Sequence, residues 1–443
     1  MSNTRRDTIA TSLTGRRSAW RNRRHATWQR VDRAAATLDA VGVSVQVLGG
    51  LVHALAMVVF LNRYVGGMIV RVLRGKTWDQ TTDDFEPTVT VIVPLFNEGA
   101  GIADTLTSVL ASDYPTTKLD VVCVDDCSTD DSHERAVEVA RGAGGRLVVA
   151  RNPRNLGKRR SILEAVRGSS SEIIVSVDSD VVIDRGAIRQ LVRRFTSPRI
   201  GAVGGWVDVR NKHDNWLTRM QTVQYWYAYF VMRNIERAFK RVLTLSGCLT
   251  AYRRSVLIEL EPVLADRNIL GVSIRYGEDR FLARQIVKAG YLTTLALEAR
   301  CRTYVPGTLS TYFSQTLRWR RSHLVDYAGG MSHVWRLNPL IAINYFAMFV
   351  VMLAYPVALV RVLSAGAFFP AVLLHFQTLA LFGLYYRHRV RDFAAEDRVG
   401  ALSFVAQSLV MPVSFALLTP LALLTLDSDS WETRGHDQLD PAR

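Results

Sequence analysis

Beyond Arg336 the sequence is dominated by long apolar runs, and no other feature restricts the fold so much. Apolar segments of about 339–362, 365–386 and 400–426 follow one another there, each far longer than a globular core needs. Another apolar stretch runs from about 34 to 73 and holds one clear membrane helix or a tight pair. Most of the charge lies before Arg336. This division is that of a membrane protein with a soluble domain between its anchors.

The formal net charge is +15, and nine arginines with Trp20 and Trp28 fall within residues 1–33. That segment has no small-residue cleavage site after a short apolar core, so it reads as a disordered basic arm or as a helix on an anionic leaflet. Nucleic acid is the weakest explanation of the charge. No zinc-ligand spacing, RNP-like stretch or basic helix with base-reading residues accompanies it, so the expected partners are membrane lipids and a phosphorylated substrate, with no nucleic acid. Cys123, Cys127, Cys248 and Cys301 show no CxxC spacing and read as small core thiols in a reducing compartment.

A polar linker, 74–86, leads into a soluble domain that begins at Pro87. TVTVIVPLFNEG is a strand and turn followed by a helix. LDVVCVDDCSTDDS is a strand running into acidic and hydroxyl residues, with Ser128 or Thr129 set to cap the next helix, and RLVVARN leads into the turn and helix of NLGKRRSILEAV. Strand and helix alternate about four times, which predicts an open, mostly parallel α/β sheet with its ligand site at the strand C-termini.

Next comes Glu172–Asp184, EIIVSVDSDVVID, a β-branched run that reads as a buried strand delivering Asp178 and Asp180 to its C-terminal edge. Two carboxylates so close repel, and keeping both ionised takes a divalent cation or a basic neighbour. A solvated Asp-Ser-Asp turn is the plainer reading.

IGAVGGWVDVRN reads as a further strand, and WLTRMQTVQYWYAYFVMRNIERAF as a long helix whose aromatic stripe packs on the sheet or at the membrane interface. LSGCLTAYRRS is a turn and strand, Glu278 and Asp279 open a helix, and an amphipathic helix near the membrane carries Gln315, Arg318 and Trp319. The loop RHRVRDFAAEDR is basic at its start and falls on the cytosolic side. Pro412 and Pro420 predict that the last apolar segment is broken or re-entrant, which keeps the C-terminal tail inside.

The ordered series VPLFNE, VDDCSTD, NLGKRRS, VDSD, SGCLTAYRRS, GEDR, QTLRW and WETR resembles the membrane-embedded, processive glycosyltransferases of family 2. Hyaluronan synthases and the rhizobial chitooligosaccharide synthase are the nearer likeness, cellulose synthase the more distant. The resemblance spans Pro87 to Arg434. It implies a GT-A (Rossmann-like) cytosolic glycosyltransferase domain with α-helical transmembrane and interfacial helices, a UDP-sugar donor, Mg2+ or Mn2+, and inversion at the anomeric carbon. Carried onto this chain, it makes Asp279 the base with Glu278 beside it, and has Asp180 hold the cation with Asp178 on the metal shell or ribose. Asp125 and Asp126 receive uracil and ribose, and Lys158 reaches the diphosphate. Arg318 contacts the diphosphate, Trp319 stacks under the acceptor sugar, and Gln315 orients the same helix. Trp431, Thr433 and Arg434 match a C-terminal gating motif, with Glu432 where Gly is usual. Cys127 stands where Gly is common in the second motif, and Cys248 where Pro is common in the fifth.

The expected domains are a basic tail (1–33), N-terminal membrane segments (34–73), a linker (74–86), a GT-A domain (87–305), interface helices (306–336), a C-terminal membrane region (337–426) and a tail (427–443). The expected activity is synthesis and export of a β-linked polysaccharide from UDP-GlcNAc, with or without UDP-GlcA, by a multi-pass plasma-membrane enzyme that holds the growing chain as acceptor. Transfer of one sugar to a lipid acceptor, or a silent scaffold, are the alternatives.

Overall fold

Seven apolar or β-branched residues, VTVIVPL, make the centre of the sheet. They form β1 (Val89–Leu95), buried at every position as a strand covered on both faces must be. It pairs in parallel with β2 (Leu119–Asp125) and β4 (Ile173–Val177), and β2 pairs in parallel with β3 (Leu147–Arg151). Helices Gly101–Leu110, Ser132–Gly142 and Lys158–Gly168 make the connections, giving the predicted alternation. The computed structural model describes residues 80–265, 267–269, 272–274, 276–364, 380, 383–400 and 402–426, together with 69, 72 and 73. The basic segment 1–33, nearly all of 34–73, most of 365–386, and the tail with Trp431, Thr433 and Arg434 lie outside them.

Past β4 the sheet is mixed, which the alternation did not predict. β5 (Val181–Ile183) pairs antiparallel with β10 (Leu292–Thr303), β10 pairs in parallel with β6 (Ile200–Val209), and β7 (Leu249–Arg253) runs antiparallel between β4 and β6. The order is β3-β2-β1-β4-β7-β6-β10-β5, and β8 (Asn268–Ile269) with β9 (Val272–Ser273) forms a separate hairpin.

Glu172–Asp184 is therefore two strands. β4 stops at Val177 and β5 begins at Val181, four places away in the sheet, because the charged Asp178-Ser-Asp180 turn cannot continue into a buried strand unpaired. The helix after VDDCSTD also differs from expectation. It starts at Ser132 with no side-chain cap, since Ser128 Oγ accepts the Asn97 N–H at 3.0 Å and the Thr129 N–H donates to Asn97 Oδ1 at 2.8 Å.

The aromatic segment is helix Trp216–Tyr227, opened by an Asn215–Thr218 capping box, then a π turn at Ala228–Met232 and a short helix Asn234–Ala238. Its Trp226 stacks on Phe230 and meets Tyr385, Tyr386 and Phe404 edge-on, while Phe230 meets Trp206 of β6. The stripe thus joins the sheet to the C-terminal helices.

Two of those helices, Pro339–Ser364 and Leu402–Leu424, are long and apolar enough to cross a membrane. At 26 residues the first spans about 39 Å, more than a hydrocarbon core. The second buries apolar and hydroxyl residues together, Phe404, Leu418 and Ala422 among them, and leaves much of its apolar surface exposed. Leu402, Leu409, Leu417 and Leu424 are exposed, whereas Ser408, Ser414 and Thr419 are buried against neighbouring protein. Pro412 and Pro420 lie inside this helix without interrupting it, so the predicted break is absent.

Candidate active site

The C-terminal ends of β1, β2, β3, β4, β6 and β10 and the starts of β5 and β7 share one edge of the sheet. The motifs VPLFNE, VDDCSTD, NLGKRRS, VDSD and SGCLTAYRRS are delivered there.

On the β1–β3 side, Asp125 is fully buried and turned toward protein. Its Oδ1 accepts the Ser128 N–H at 2.9 Å, and Oδ2 lies 3.1 Å from His133 Nδ1 and 3.2 Å from Arg151 Nε. Asp126 accepts from Asn152 Nδ2 (2.7 Å) and Leu156 N (2.8 Å) on one oxygen and from Gly157 N (2.7 Å) on the other. The two acids thereby hold the VDDCSTD and NLGK turns together. Between these turns Cys127 takes φ 67°, a left-handed conformation that disfavours a Cβ. Cys127→Gly is expected to relieve about 1 kcal/mol of strain and raise the unfolding temperature of the solubilised protein. A lowered midpoint would show that the thiol's packing outweighs the strain.

Lys158, first residue of its helix, joins two motifs that lie far apart in sequence. Its Nζ is 2.5 Å from Asp178 Oδ1 and 3.2 Å from Glu278 Oε1. Burial alone would loosen its proton, but the Asp178 and Glu278 carboxylates reverse this and hold the ammonium charged, well above the usual lysine range. Gly247 makes the approach possible, since a Cβ there would come within 3.0 Å of Lys158 Nζ. The Cys248 carbonyl accepts the Asp178 N–H at 3.4 Å, so SGCL backs the same pair.

Asp180 accepts the Thr303 hydroxyl at 3.0 Å, and Ser179 Oγ donates to the buried Glu98 at 3.0 Å. The turn is thus held from both sides, by VPLFNE and by the end of β10. Neither Glu98 nor Thr303 carried an assigned role in the sequence reading. Glu98 at least lies in a quoted motif, whereas nothing near Thr303 marks it. Asp178 and Asp180 present hard oxygen donors suited to Mg2+ or Mn2+. Among the described residues no group of three or more His, Cys, Asp or Glu can hold a metal ion, so a cation at this pair would need further ligands from outside the protein.

Gly277, at φ 68°, turns the chain into helix Glu278–Lys288. A side chain there would run into Ser322 Oγ. Asp279 Oδ1 accepts the Arg280 N–H at 2.8 Å. Burial first, then the neighbouring Glu278, push the Asp279 pKa upward against the pull of Arg280. Arg280 donates to Thr244 Oγ1 at 3.1 Å and to His323 Nε2, and Arg267 donates to the Tyr276 and Gly277 carbonyls at 2.6 and 3.0 Å.

His323 belongs to the helix Leu309–Gly330 that also carries the QTLRW residues. Arg318 and Trp319 are half-buried, with Trp319 6.1 Å from Tyr225 between ring centroids. Gln315 is buried, and neither amide atom has a hydrogen-bond partner among the described residues. The structure therefore brings Lys158, Asp178 and Glu278 into direct contact, with Asp279 and Asp180 next to them in sequence. Asp125 and Asp126 sit at the neighbouring turns, and Gln315, Arg318 and Trp319 share the helix packed on the GED helix.

A sequence profile described as "Glycosyltransferase like family 2" matches residues 87–322, more than half of the chain. The chain belongs to this family. An N-acetylglucosaminyltransferase of Azorhizobium caulinodans is 36% identical to this family-2 chain over 245 residues, which are 55% of this chain and 61% of the relative. Similar proteins of the same description from Bradyrhizobium diazoefficiens (32% over 355 residues; 79% and 72% of the two chains) and Neorhizobium galegae (28% over 410 residues; 91% and 92%) match more of the length. Among solved structures, a mannosyltransferase of Pyrobaculum calidifontis in complex with GDP-Man and Mn2+ matches 83% of this chain and 99% of its own, with TM-score 0.57 at 24% identity, a likeness of fold. The part built on the eight-stranded sheet is thus a mixed-sheet GT-A domain, and the protein is a sugar-transferring enzyme.

Proposed function

We propose that the protein is a membrane-bound inverting glycosyltransferase that draws on UDP-GlcNAc, with or without UDP-GlcA, to build and export a β-linked polysaccharide of the chitooligosaccharide or hyaluronan kind. The observation that carries this is the Lys158 ammonium held between Asp178 of one turn and Glu278 of another a hundred residues later. It joins a leaving-group side to a proton-accepting side.

In this reading Asp279 takes the proton of the acceptor hydroxyl, its basicity raised by burial and by Glu278. Lys158 then offers its charge to the departing diphosphate, and Arg318 adds a fork of donors. Asp180 and Asp178 would hold Mg2+ or Mn2+, a Lewis acid that would neutralise charge on the leaving diphosphate. Asp125 and Asp126 serve uracil and ribose by keeping the two turns of their cradle closed. Trp319 stacks beneath the acceptor sugar, and Gln315 supplies a donor and an acceptor to its hydroxyls.

The membrane reading rests on the helix Leu402–Leu424, which exposes Leu402, Leu409, Leu417 and Leu424 while burying Ser408, Ser414 and Thr419. With the domain division given above, it makes the enzyme a multi-pass protein of the plasma membrane with its catalytic domain in the cytosol, where nucleotide sugars are.

Membranes containing the protein and Mn2+ are expected to release UDP from UDP-GlcNAc and to yield a ladder of products on sizing. A single-sugar lipid adduct would replace the polymer reading, and silence with a panel of nucleotide sugars would leave only a scaffold.

A further inference from the structure

The loop that precedes helix Leu402–Leu424 is docked on the catalytic sheet through a cluster of four charges, Lys212 and Asp208 buried, Arg300 and Asp397 half-buried. Lys212 Nζ lies 2.7 Å from Asp208 Oδ2 and 3.3 Å from Asp397 Oδ1. Arg300 Nη1 donates to Asp397 Oδ2 at 2.7 Å, and its Nη2 pairs with both Asp208 and Asp397. Two cations meet two anions, so the cluster is balanced. Arg300, overcoming burial, holds the Asp397 carboxyl down to about 2, with help from Lys212. Around the charges, Phe393 packs 5.8 Å from Trp206, the Arg300 guanidinium lies 5.0 Å from the same ring, and His213 Nε2 is 2.8 Å from the Glu396 carbonyl oxygen.

The grip falls on a strand that matters. Arg300 lies on β10 three residues before Thr303, the donor to Asp180, and Arg302 between them bonds Asp184 at 2.6 Å. One short run of β10 therefore holds both flanks of β5, and its other end is held by Asp397. Without Asp397, Lys212 and Arg300 would share one carboxylate, and an uncompensated buried cation would push the turn after β6 away from β10.

We propose that Asp397 is a positioning residue for the donor edge: docking of its loop fixes β10 and, through Thr303, the orientation of Asp180. This rests on the assignment of Asp180 to the donor side above. The test uses full-length protein in lipid nanodiscs, comparing wild type with Asp397→Ala and Asp397→Glu. UDP release is followed over a range of UDP-GlcNAc at fixed Mn2+, and hydrogen exchange is followed in peptides covering 292–303 and 386–400.

Asp397→Ala should raise the donor KM about tenfold, as loss of an outer support does, while kcat stays near wild type. Exchange should quicken in both peptides, and Asp397→Glu should recover KM and exchange together. A wild-type donor KM in Asp397→Ala would overturn the proposal, as would unchanged exchange over 292–303. A wild type that releases UDP from no nucleotide sugar would instead sink the functional reading, and the exchange arm would still decide whether Asp397 holds β10.

Discussion

Asp279→Asn is expected to lower sugar transfer by about 10²- to 10⁴-fold, the span that loss of a positioned general base produces. The amide keeps the size of the carboxylate and can still accept the Arg280 N–H, so the helix start should survive. UDP release at saturating donor measures the loss, and undiminished turnover would remove Asp279 from the chemistry. The pH profile tests the same assignment from another side. The base works deprotonated and its pKa is raised, so the rate is full above that pKa and is lost as pH falls through it. Burial is the larger cause and the Glu278 charge the next. Glu278→Gln should therefore move the acid limb to lower pH without erasing it, while Lys158 keeps Asp178 as partner. A limb that stayed in place would mean that Glu278 serves only to hold Lys158.

The parts of this site that the sequence made legible are those built from neighbours in the chain. β1 to β4 and the helices between them follow from short apolar runs and turn residues, and the start of the GED helix follows from two acids after a glycine. What escaped depends on distant pairing. β-branched residues continue across Asp178-Ser-Asp180, so nothing local marks the break, and β5 finds its place only by pairing Ile183 with Cys301. The acids at 125 and 126 were visible, but their direction was not, because it is set by Arg151, Asn152 and the amides of 156 and 157. Asp397 was hidden for a similar reason. In RHRVRDFAAEDR it reads as one more solvated charge, and only the fold shows the buried Lys212 and the half-buried Arg300 opposite it. The prolines of the last helix misled in the other direction. In an apolar setting, packed neighbours and hydroxyls can satisfy the freed backbone groups, and Pro412 and Pro420 do not end it.

Asp326→Ala is expected to cost about 3–5 kcal/mol of stability, because it strands a buried guanidinium. Arg284 Nε donates to Asp326 Oδ1 at 2.8 Å with both side chains buried, and the Tyr345 hydroxyl donates to the Asp326 carbonyl at 2.6 Å. Small residues make the fit: a Cβ at Gly329 would crowd Arg284 Nη2 at 3.1 Å, and one at Gly330 would strike the Tyr345 ring. The pair thus ties the helix of Glu278 and Asp279 to the helix of Arg318 and Trp319, and that helix to the apolar helix starting at Pro339. Denaturant unfolding of the solubilised protein measures the loss. Arg284→Met combined with Asp326→Leu should recover most of it, since a packed apolar pair escapes the desolvation that burdens an ion pair. Sugar transfer in that double variant then separates two roles. Recovered stability with recovered transfer makes the pair a staple, whereas recovered stability with lost transfer means that its hydrogen-bond geometry aligns Asp279 with the helix of Gln315 and Trp319.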